Sequence, residues 1–179
     1  IQDTVIGERF SVAIWYPTSA QSSVLEFGPY TMRVVRDATP ADGKFGLVVI
    51  SHGSGGGAFD HRDLAMALVS GGYVVAALTH PRDNFQDMSG VGSVGVWIGR
   101  PKQVFRVIDR ILEDKALGPH IQRERIGVVG HSSGAYTALA IAGAKPSMNA
   151  LVQHCRAIPE DARFCSFGGA AAREAGQKG

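Results

Sequence analysis

The chain has 179 residues, of which 45% are hydrophobic and 19% are charged, and its formal net charge is +2. This composition suits a single globular domain, and a small net charge without a basic cluster gives no reason to expect a nucleic-acid partner. No apolar run reaches the roughly 18 residues that a membrane-spanning helix needs.

The first part of the chain predicts three strands. Residues 10–16 and 30–35 alternate between apolar and polar side chains enough to indicate early antiparallel strands, separated by a polar turn over residues 18–23. Residues 45–50 form a continuous apolar run that is rich in β-branched side chains. Such a run is typical of a strand that is buried on both faces.

Helices and strands then alternate along the chain. A short helix over residues 60–70 ends at two glycines, and an apolar strand follows at residues 73–78. A second helix is predicted over residues 101–117, because it begins at a proline and ends at a Gly-Pro pair. A strand at residues 126–129 leads into a helical stretch of small residues at 135–144. This alternation predicts an α/β fold, with a mostly parallel sheet covered by helices on both faces.

The strand at residues 45–50 ends in a glycine-rich loop, Ser51-His52-Gly53-Ser54-Gly55-Gly56-Gly57. Glycines in such a loop allow backbone N–H groups to approach a substrate closely. Residues 53–58 also match the dinucleotide-binding pattern G-x-G-x-x-A, which needs an acidic residue at the end of the next strand. The first carboxylate there, Asp83, lies beyond a proline, so a dinucleotide-binding domain is kept only as an alternative. A P-loop is excluded, because no Gly-Lys-Ser/Thr follows the glycines.

Residues 130–134 read Gly-His-Ser-Ser-Gly, between a predicted strand and a predicted helix. This is the G-x-S-x-G nucleophile elbow, in which two glycines give a strand and a helix room to approach each other. Ser132 is the predicted nucleophile of an acyl transfer through a serine ester. The backbone N–H groups of Ser133 and of Ser54 are predicted to form the oxyanion hole.

Four segments together resemble α/β-hydrolases of the dienelactone-hydrolase-like and platelet-activating-factor-acetylhydrolase-like group. They are Ile14-Trp15-Tyr16-Pro17, Ile50-Ser51-His52-Gly53-Ser54-Gly55, Ala76 to Asp83, and Gly130-His131-Ser132-Ser133-Gly134. Bacterial secreted esterases and polyester hydrolases look similar over residues 5–145. The resemblance implies an esterase that needs no cofactor and no metal, acting on small soluble esters, short-chain phospholipids or polyesters. Dienelactone hydrolases use a cysteine nucleophile, so Ser132 favours carboxylic-ester hydrolysis over the dienelactone reaction.

A serine nucleophile of this fold needs a carboxylate and a histidine base, which follow it in the chain in that order. Beyond the elbow, the chain offers only His154, Glu160, Asp161 and Glu174. The histidine precedes every acid, so we assign no catalytic acid or base within this chain. We expect residues 1–179 to be an incomplete hydrolase domain with an open sheet edge, unstable alone, whose C-terminal continuation supplies the catalytic Asp and His. A non-catalytic binding protein with a hydrolase fold is the alternative from another class.

Cys155 and Cys165 lie close together in a polar stretch, residues 146–168, that is predicted to be a surface insertion near the site. They form either two free thiols or a local disulfide. A disulfide, together with a chain that starts at Ile1 rather than Met, would indicate a periplasmic or secreted protein, and free thiols would suit a cytoplasmic one. The last residues, 168–179, are predicted to be flexible.

Three aromatic residues are predicted to line an acyl pocket: Phe59, Phe85 and Trp97. Trp15 is predicted to be a core residue, because a large apolar side chain on a strand usually packs. His52 and His131 are predicted to be structural, holding the backbone by hydrogen bonds. The segment 80–83, His-Pro-Arg-Asp, lies at the carboxyl end of a predicted strand, where sites lie in such sheets. A role in positioning the groups of the site is predicted for it.

Overall fold

The computed structural model describes residues 1–162 and 164–165, so Glu174 and the predicted flexible stretch 168–179 lie outside the described residues. The elements in chain order are β1 (Val12–Trp15), β2 (Ser23–Phe27), β3 (Tyr30–Val34), β4 (Phe45–Ser51), α1 (Arg62–Ser70), β5 (Tyr73–Leu78), α2 (Val94–Glu113), β6 (Ile121–Gly130), α3 (Ser133–Ile141) and α4 (Met148–Ala157). A single 3₁₀ turn, Gly118–His120, connects α2 to β6.

The centre of the fold is a four-stranded sheet in the order β1-β5-β4-β6. Strand β4 runs parallel to both of its neighbours, so Ile50 pairs with Ala77 of β5 on one side and with Val129 of β6 on the other. Strand β1 is antiparallel to β5 and pairs Val12 with Leu78. The helices α1 and α2 connect the parallel strands, which confirms the predicted α/β class. The carboxyl ends of β4, β5 and β6 therefore meet at one edge of the sheet.

The early strands differ from the prediction. Residues 30–34 pair with β2 rather than with β1, and the two form a separate antiparallel hairpin. The sequence did not indicate β2 because its pattern is weak: Val24 is exposed, while Leu25 and Phe27 are only half-buried. The ring of Phe27 packs against Phe59, with 5.6 Å between the ring centroids, and this contact joins the hairpin to the main body.

The core lies on both faces of the sheet. Alternate residues of β4 point to opposite faces, so Leu47 and Val49 belong to the cluster under α2, whereas Val48 and Ile50 belong to the cluster under α1. None of these four residues is more than 8% exposed, as expected for a strand covered on both sides. Trp15 is buried in the α1 cluster, as predicted.

Helix α2 begins seven residues before the predicted start at Pro101, because Ser93 caps it: the Ser93 hydroxyl accepts a hydrogen bond from Val96 N–H at 3.2 Å. Pro101 therefore lies inside the helix and has no N–H to donate to the carbonyl of Trp97. The Tyr136 hydroxyl of α3 donates to that carbonyl oxygen instead, at 3.5 Å. Helix α2 can continue through Pro101 because α3 supplies a hydrogen-bond donor to the carbonyl oxygen of Trp97.

The C-terminal part also departs from the prediction. Strand β6 begins at residue 121 rather than 126, and the polar stretch after the elbow contains helix α4 and a disulfide between Cys155 and Cys165. Within the described residues, β6 is paired only on its β4 side, and Val129 and Leu139 beside this edge are exposed. No helix of the described part is both long and apolar enough to cross a membrane.

The close approach of β6 and α3 gives a stability prediction. A Cβ atom on Gly130 would lie 1.9 Å from the carbonyl oxygen of Gly134, whereas one on Gly127 of the same strand would have no neighbour within 4 Å. We expect Gly130→Ala to lower the free energy of unfolding by about 3 kcal/mol or more, and the matched control Gly127→Ala to change it by less than about 0.5 kcal/mol. Urea denaturation measures both. Equal losses in the two variants would show that the close approach of β6 and α3 is not the reason for a glycine at position 130.

Candidate active site

Ser132 sits at the turn between β6 and α3 with φ 53° and ψ −119°. A positive φ is strained for a residue other than glycine, and such strain persists only where the surroundings enforce it. Two backbone hydrogen bonds enforce it here: His131 N–H donates to Ser51 C=O at 3.2 Å, and Gly134 N–H donates to His131 C=O at 2.8 Å. The turn therefore presents an exposed Ser132 at the carboxyl edge of the parallel strands.

The glycine-rich loop after β4 lies directly against this turn. A Cβ atom on Gly53 would come within 3.3 Å of Ser132 Cβ, and one on Gly134 would come within 1.9 Å of the Ser51 carbonyl oxygen. The side chains of Ser54 and Ser133 are hydrogen-bonded to each other, with 3.0 Å between their Oγ atoms. The loop and the N-terminus of α3 thus form one surface beside Ser132.

The backbone N–H groups of Ser54 and Ser133, which belong to this surface, have no hydrogen-bond acceptor among the described residues. Ser133 is the first residue of α3, where N–H groups lack a partner within the helix and the helix dipole favours negative charge. The hydroxyl of Ser132 likewise has no hydrogen-bond partner within the described residues. These groups are free to interact with a bound molecule.

A buried ion pair holds the glycine-rich loop in place. Arg100 of α2 donates to Asp83 Oδ2 at 2.8 Å and to the carbonyl oxygen of His52 at 2.7 Å. The same carboxylate accepts from Gly55 N–H at 3.2 Å and from the Ser54 hydroxyl at 3.4 Å. Arg100 and Asp83 therefore fix the backbone on both sides of Ser54.

Each of the two charges needs the other, because Arg100 and Asp83 are each only 1% exposed to solvent. Burial lowers the pKa of Arg100, and the Coulombic attraction of Asp83 opposes that shift. Removing either partner would leave an uncompensated charge in the interior. Arg100 was not predicted to be a site residue, because the helix was predicted to begin immediately after it.

The position of Asp83 also weakens the dinucleotide-binding hypothesis. That hypothesis needs a carboxylate that can reach a ribose hydroxyl. The first carboxylate after β5, Asp83, is buried and already bound to Arg100 and to the backbone of the loop.

His52 is held as a neutral ring. Its Nδ1 lies 2.6 Å from the carbonyl oxygen of Gly53, which can only accept, so Nδ1 carries the hydrogen. Its Nε2 accepts from the backbone N–H of His80 at 3.1 Å. Burial, the largest cause, lowers the pKa of His52 to about 4, although the bond to Gly53 opposes the shift. His52 thus supports the loop through hydrogen bonds, in the structural role predicted for it.

His80 belongs to a buried chain of side-chain hydrogen bonds. Its Nδ1 lies 2.5 Å from Gln103 Oε1, its Nε2 lies 2.8 Å from Ser51 Oγ, and the amide nitrogen of Gln103 donates to Asp3. The amide oxygen accepts from Nδ1, so the hydroxyl of Ser51 donates to Nε2. Burial and the charge of Arg100 hold the pKa of His80 well below its usual value. His80 therefore positions the end of β5 as a neutral group.

The remaining histidines are arranged differently. The ring of His131 is exposed, meets the ring of His61 at 5.6 Å between centroids, and forms no hydrogen bond in the described part of the chain, contrary to the structural role predicted for it. His154 of α4 pairs with Asp161, at 2.9 Å from Nε2 to Oδ2. No histidine is hydrogen-bonded to the Ser132 hydroxyl, and all six histidines of the chain are described.

A cavity of about 230 Å³ opens beside Ser132. Its lining residues come from the glycine-rich loop, the β5–α2 connection, α2, the elbow and the C-terminal segment: Ser54, Asp83, Gly92, Val96, Trp97, Arg100, Ser132, Ser133, Tyr136 and Phe164. Of the three predicted pocket aromatics, Trp97 lines it. Phe59 instead packs against Trp15 and the hairpin, and Phe85 is 69% exposed outside it. Tyr136 and Phe164 were not predicted, because nothing in their local sequence marks them.

The neutral histidines give a pH prediction. Below pH 6.5 the unfolded chain protonates these rings, whereas folded His52 stays neutral until the pH falls to about 4, and folded His80 also resists protonation. The free energy of unfolding is therefore retained above about pH 7.5 and is lost as the unfolded rings protonate, by about 3 kcal/mol for the two rings at about pH 5.5.

Urea denaturation at the two pH values measures this loss, and ¹⁵N NMR of the imidazole rings identifies its source. We expect the signals of His52 and His80 to remain those of the neutral Nδ1–H tautomer at about pH 5.5. If either ring protonates near pH 6.5, the hydrogen-bond assignment given above is wrong.

Among solved structures, the chain is similar to a ferulic acid esterase from Streptomyces cinnamoneus, with 29% identity and a TM-score of 0.52, over 59% of this chain and 35% of that chain. It also aligns with acetyl xylan esterase 1 from Thermoanaerobacterium sp., with 15% identity and a TM-score of 0.47, over 92% of this chain and 68% of that chain. No protein-family profile matches the chain, and no curated protein matches it. The chain therefore spans little more than a third of the length of the ferulic acid esterase.

The similarity to the ferulic acid esterase supports the α/β-hydrolase superfamily and does not single out the dienelactone-hydrolase-like or platelet-activating-factor-acetylhydrolase-like group. The parallel order of β5, β4 and β6, the antiparallel β1 and the strained serine turn after β6 agree with the same fold. From β1 to α3, the chain has the α/β-hydrolase fold.

Proposed function

We propose that this chain carries the nucleophile and the oxyanion hole of a serine hydrolase that cleaves carboxylic esters through an acyl-enzyme intermediate. One observation carries the proposal: a strained Ser132 with a free hydroxyl faces a cavity, next to two backbone N–H groups that lack acceptors. A serine in an ordinary loop would adopt an unstrained backbone conformation, because the strained one costs free energy. The similarity to a ferulic acid esterase supports ester hydrolysis as the class of reaction.

In the proposed reaction, Ser132 Oγ attacks the ester carbonyl while a histidine base takes the hydroxyl proton. The carbonyl oxygen becomes an oxyanion and is stabilised by the N–H groups of Ser54 and Ser133. The alcohol leaves with the proton from the histidine, and water then hydrolyses the acyl-serine. Each oxyanion donor contributes on the order of 3 kcal/mol to lowering the barrier.

We propose that the base and its carboxylate come from a C-terminal continuation of the protein. Both ring nitrogens of His52 and of His80 are already occupied by hydrogen bonds, and no histidine of the chain is hydrogen-bonded to Ser132 Oγ. Within the described residues, β6 has no strand on its outer side, which leaves room for the further strands that such a continuation would add. In this proposal the domain is incomplete, and residues 146–168 are a surface insertion near the site.

The disulfide between Cys155 and Cys165 supports a periplasmic or secreted location, because disulfides persist in oxidising compartments. Candidate substrates are small soluble esters, short-chain phospholipids, polyesters and, from the similarity to a ferulic acid esterase, esters of acids that carry an aromatic ring. A non-catalytic binding protein is the second candidate, and it is favoured by one observation, the lack of a hydrogen-bonded base at Ser132 within the described residues.

The nucleophile is tested with a fluorophosphonate probe and intact mass measurement, on the protein in its full length. We expect one phosphonyl adduct that is lost in Ser132→Ala, together with hydrolysis of 4-nitrophenyl acetate. The matched control is Ser133→Ala, which keeps the backbone N–H and should still form the adduct. Failure to form an adduct at Ser132 and to hydrolyse any ester would move the binding-protein candidate to first place.

The ion pair under the loop gives a kinetic prediction. Asp83→Asn keeps the size of the side chain but removes the charge beside Arg100, which loosens the backbone around Ser54. We expect kcat to fall between about tenfold and a hundredfold, with KM changed by less than about threefold, because misplacing an oxyanion donor weakens binding of the transition state rather than of the substrate.

The control for this variant is Glu8→Gln, which breaks the exposed pair of Glu8 with Arg82 at the surface. It should leave kcat unchanged, and thermal denaturation shows whether each variant is folded. If folded Asp83→Asn has the kcat of the wild type, the ion pair does not position the oxyanion hole.

A further inference from the structure

One wall of the cavity beside Ser132 comes from a part of the chain outside the hydrolase core. The ring of Phe164 lines the cavity although it is 52% exposed. Trp97 and Tyr136 supply two further aromatic rings of the lining, and these two rings meet edge to face with 4.3 Å between centroids. Three aromatic side chains from separate elements thus surround the space next to the proposed nucleophile.

Contacts of Phe164 and of its neighbours in the chain tie it to helix α4. The disulfide Cys155–Cys165 fixes the next residue in the chain, and the ring of His154 packs edge-on against Phe164 with 5.2 Å between centroids. His154 also binds Asp161, whose carbonyl oxygen accepts from Cys165 N–H at 3.0 Å. We name residues 154–162 and 164–165 the disulfide strap.

The cavity has the size and lining of a site for one aromatic ring. A cavity of about 150 Å³ can hold benzene, so about 230 Å³ has room for a ring and a short linker. Aromatic rings prefer edge-to-face or offset contacts with other rings, and the three lining rings provide such partners. The exposed surface of Phe164 would be covered by a bound ring.

We propose that Phe164 contacts the substrate and that, with Trp97 and Tyr136, it selects esters of aromatic acids by binding their acyl group. The disulfide strap positions the ring of Phe164 at the cavity. This inference rests on the proposed function, since it assigns the acyl side of an ester to the space beside Ser132.

The test measures binding without catalysis. Isothermal titration calorimetry gives the Kd of trans-cinnamamide, a neutral aryl-acyl amide that an esterase does not need to turn over. We expect saturable binding to the wild type and about tenfold weaker binding to Phe164→Ala, from the loss of buried apolar area. The double variant C155A/C165A should lose about as much, because it frees the strap. The matched control Phe85→Ala removes an exposed ring outside the cavity and should bind like the wild type.

Phe164 is half-exposed and lies outside both core clusters. The melting temperature of Phe164→Ala should therefore stay within a few degrees of the wild-type value, and this measurement shows whether the variant is folded. Wild-type affinity in Phe164→Ala, or no binding by the wild type at millimolar ligand, overturns the inference.

Ester kinetics separate this inference from the proposed function. In the active protein, Phe164→Ala should lower kcat/KM for 4-nitrophenyl cinnamate about tenfold relative to 4-nitrophenyl acetate. An unchanged ratio overturns the inference while leaving the esterase intact. Cinnamamide binding that depends on Phe164, in a protein that hydrolyses no ester, would overturn the proposed function and support Phe164 as a ligand-binding residue.

Discussion

The candidate site depends on one buried ion pair. Arg100 reaches from α2 to the carbonyl oxygen of His52 and to Asp83, and Asp83 in turn holds the N–H of Gly55. Two charges with almost no exposure are tolerated because they pair with each other and both bind backbone groups, although the Nε of Arg100 has no partner among the described residues. The pair connects three regions that are distant in sequence: the glycine-rich loop, the end of β5 and the middle of α2. The backbone of Ser54 is fixed between them.

The rest of the site follows from this constraint and from the strained turn at Ser132. The glycine-rich loop and the first turn of α3 meet through the side chains of Ser54 and Ser133, and this contact brings two unpaired N–H groups together beside the hydroxyl of Ser132. Beneath the loop, His52 and His80 serve as neutral hydrogen-bonding groups because burial disfavours their charged forms. The Nε2 lone pair of each ring already accepts a hydrogen bond, which is why neither suits the role of catalytic base.

The features that consecutive residues encode could be predicted from the sequence. The strand, turn and helix around Ser132 and the buried strand β4 are local patterns, and both were found. Arg100 could not be predicted to lie in a helix, since a charged residue on the buried face interrupts the apolar period and Pro101 imitates a helix start. The place of Phe164 depends on the disulfide between Cys155 and Cys165, for which the sequence left two alternatives open. The sequence gives no local signal for such long-range contacts.

In the proposed function, the loop after β4 and the elbow after β6 form a single oxyanion site. A crystal structure of the full-length protein after reaction with a fluorophosphonate would show whether they do. We expect a phosphonyl group on Ser132 Oγ with its oxygen about 2.7–3.1 Å from the backbone nitrogens of both Ser54 and Ser133. A phosphonyl oxygen that points away from these nitrogens, or a phosphonyl group on another residue, would contradict the claim.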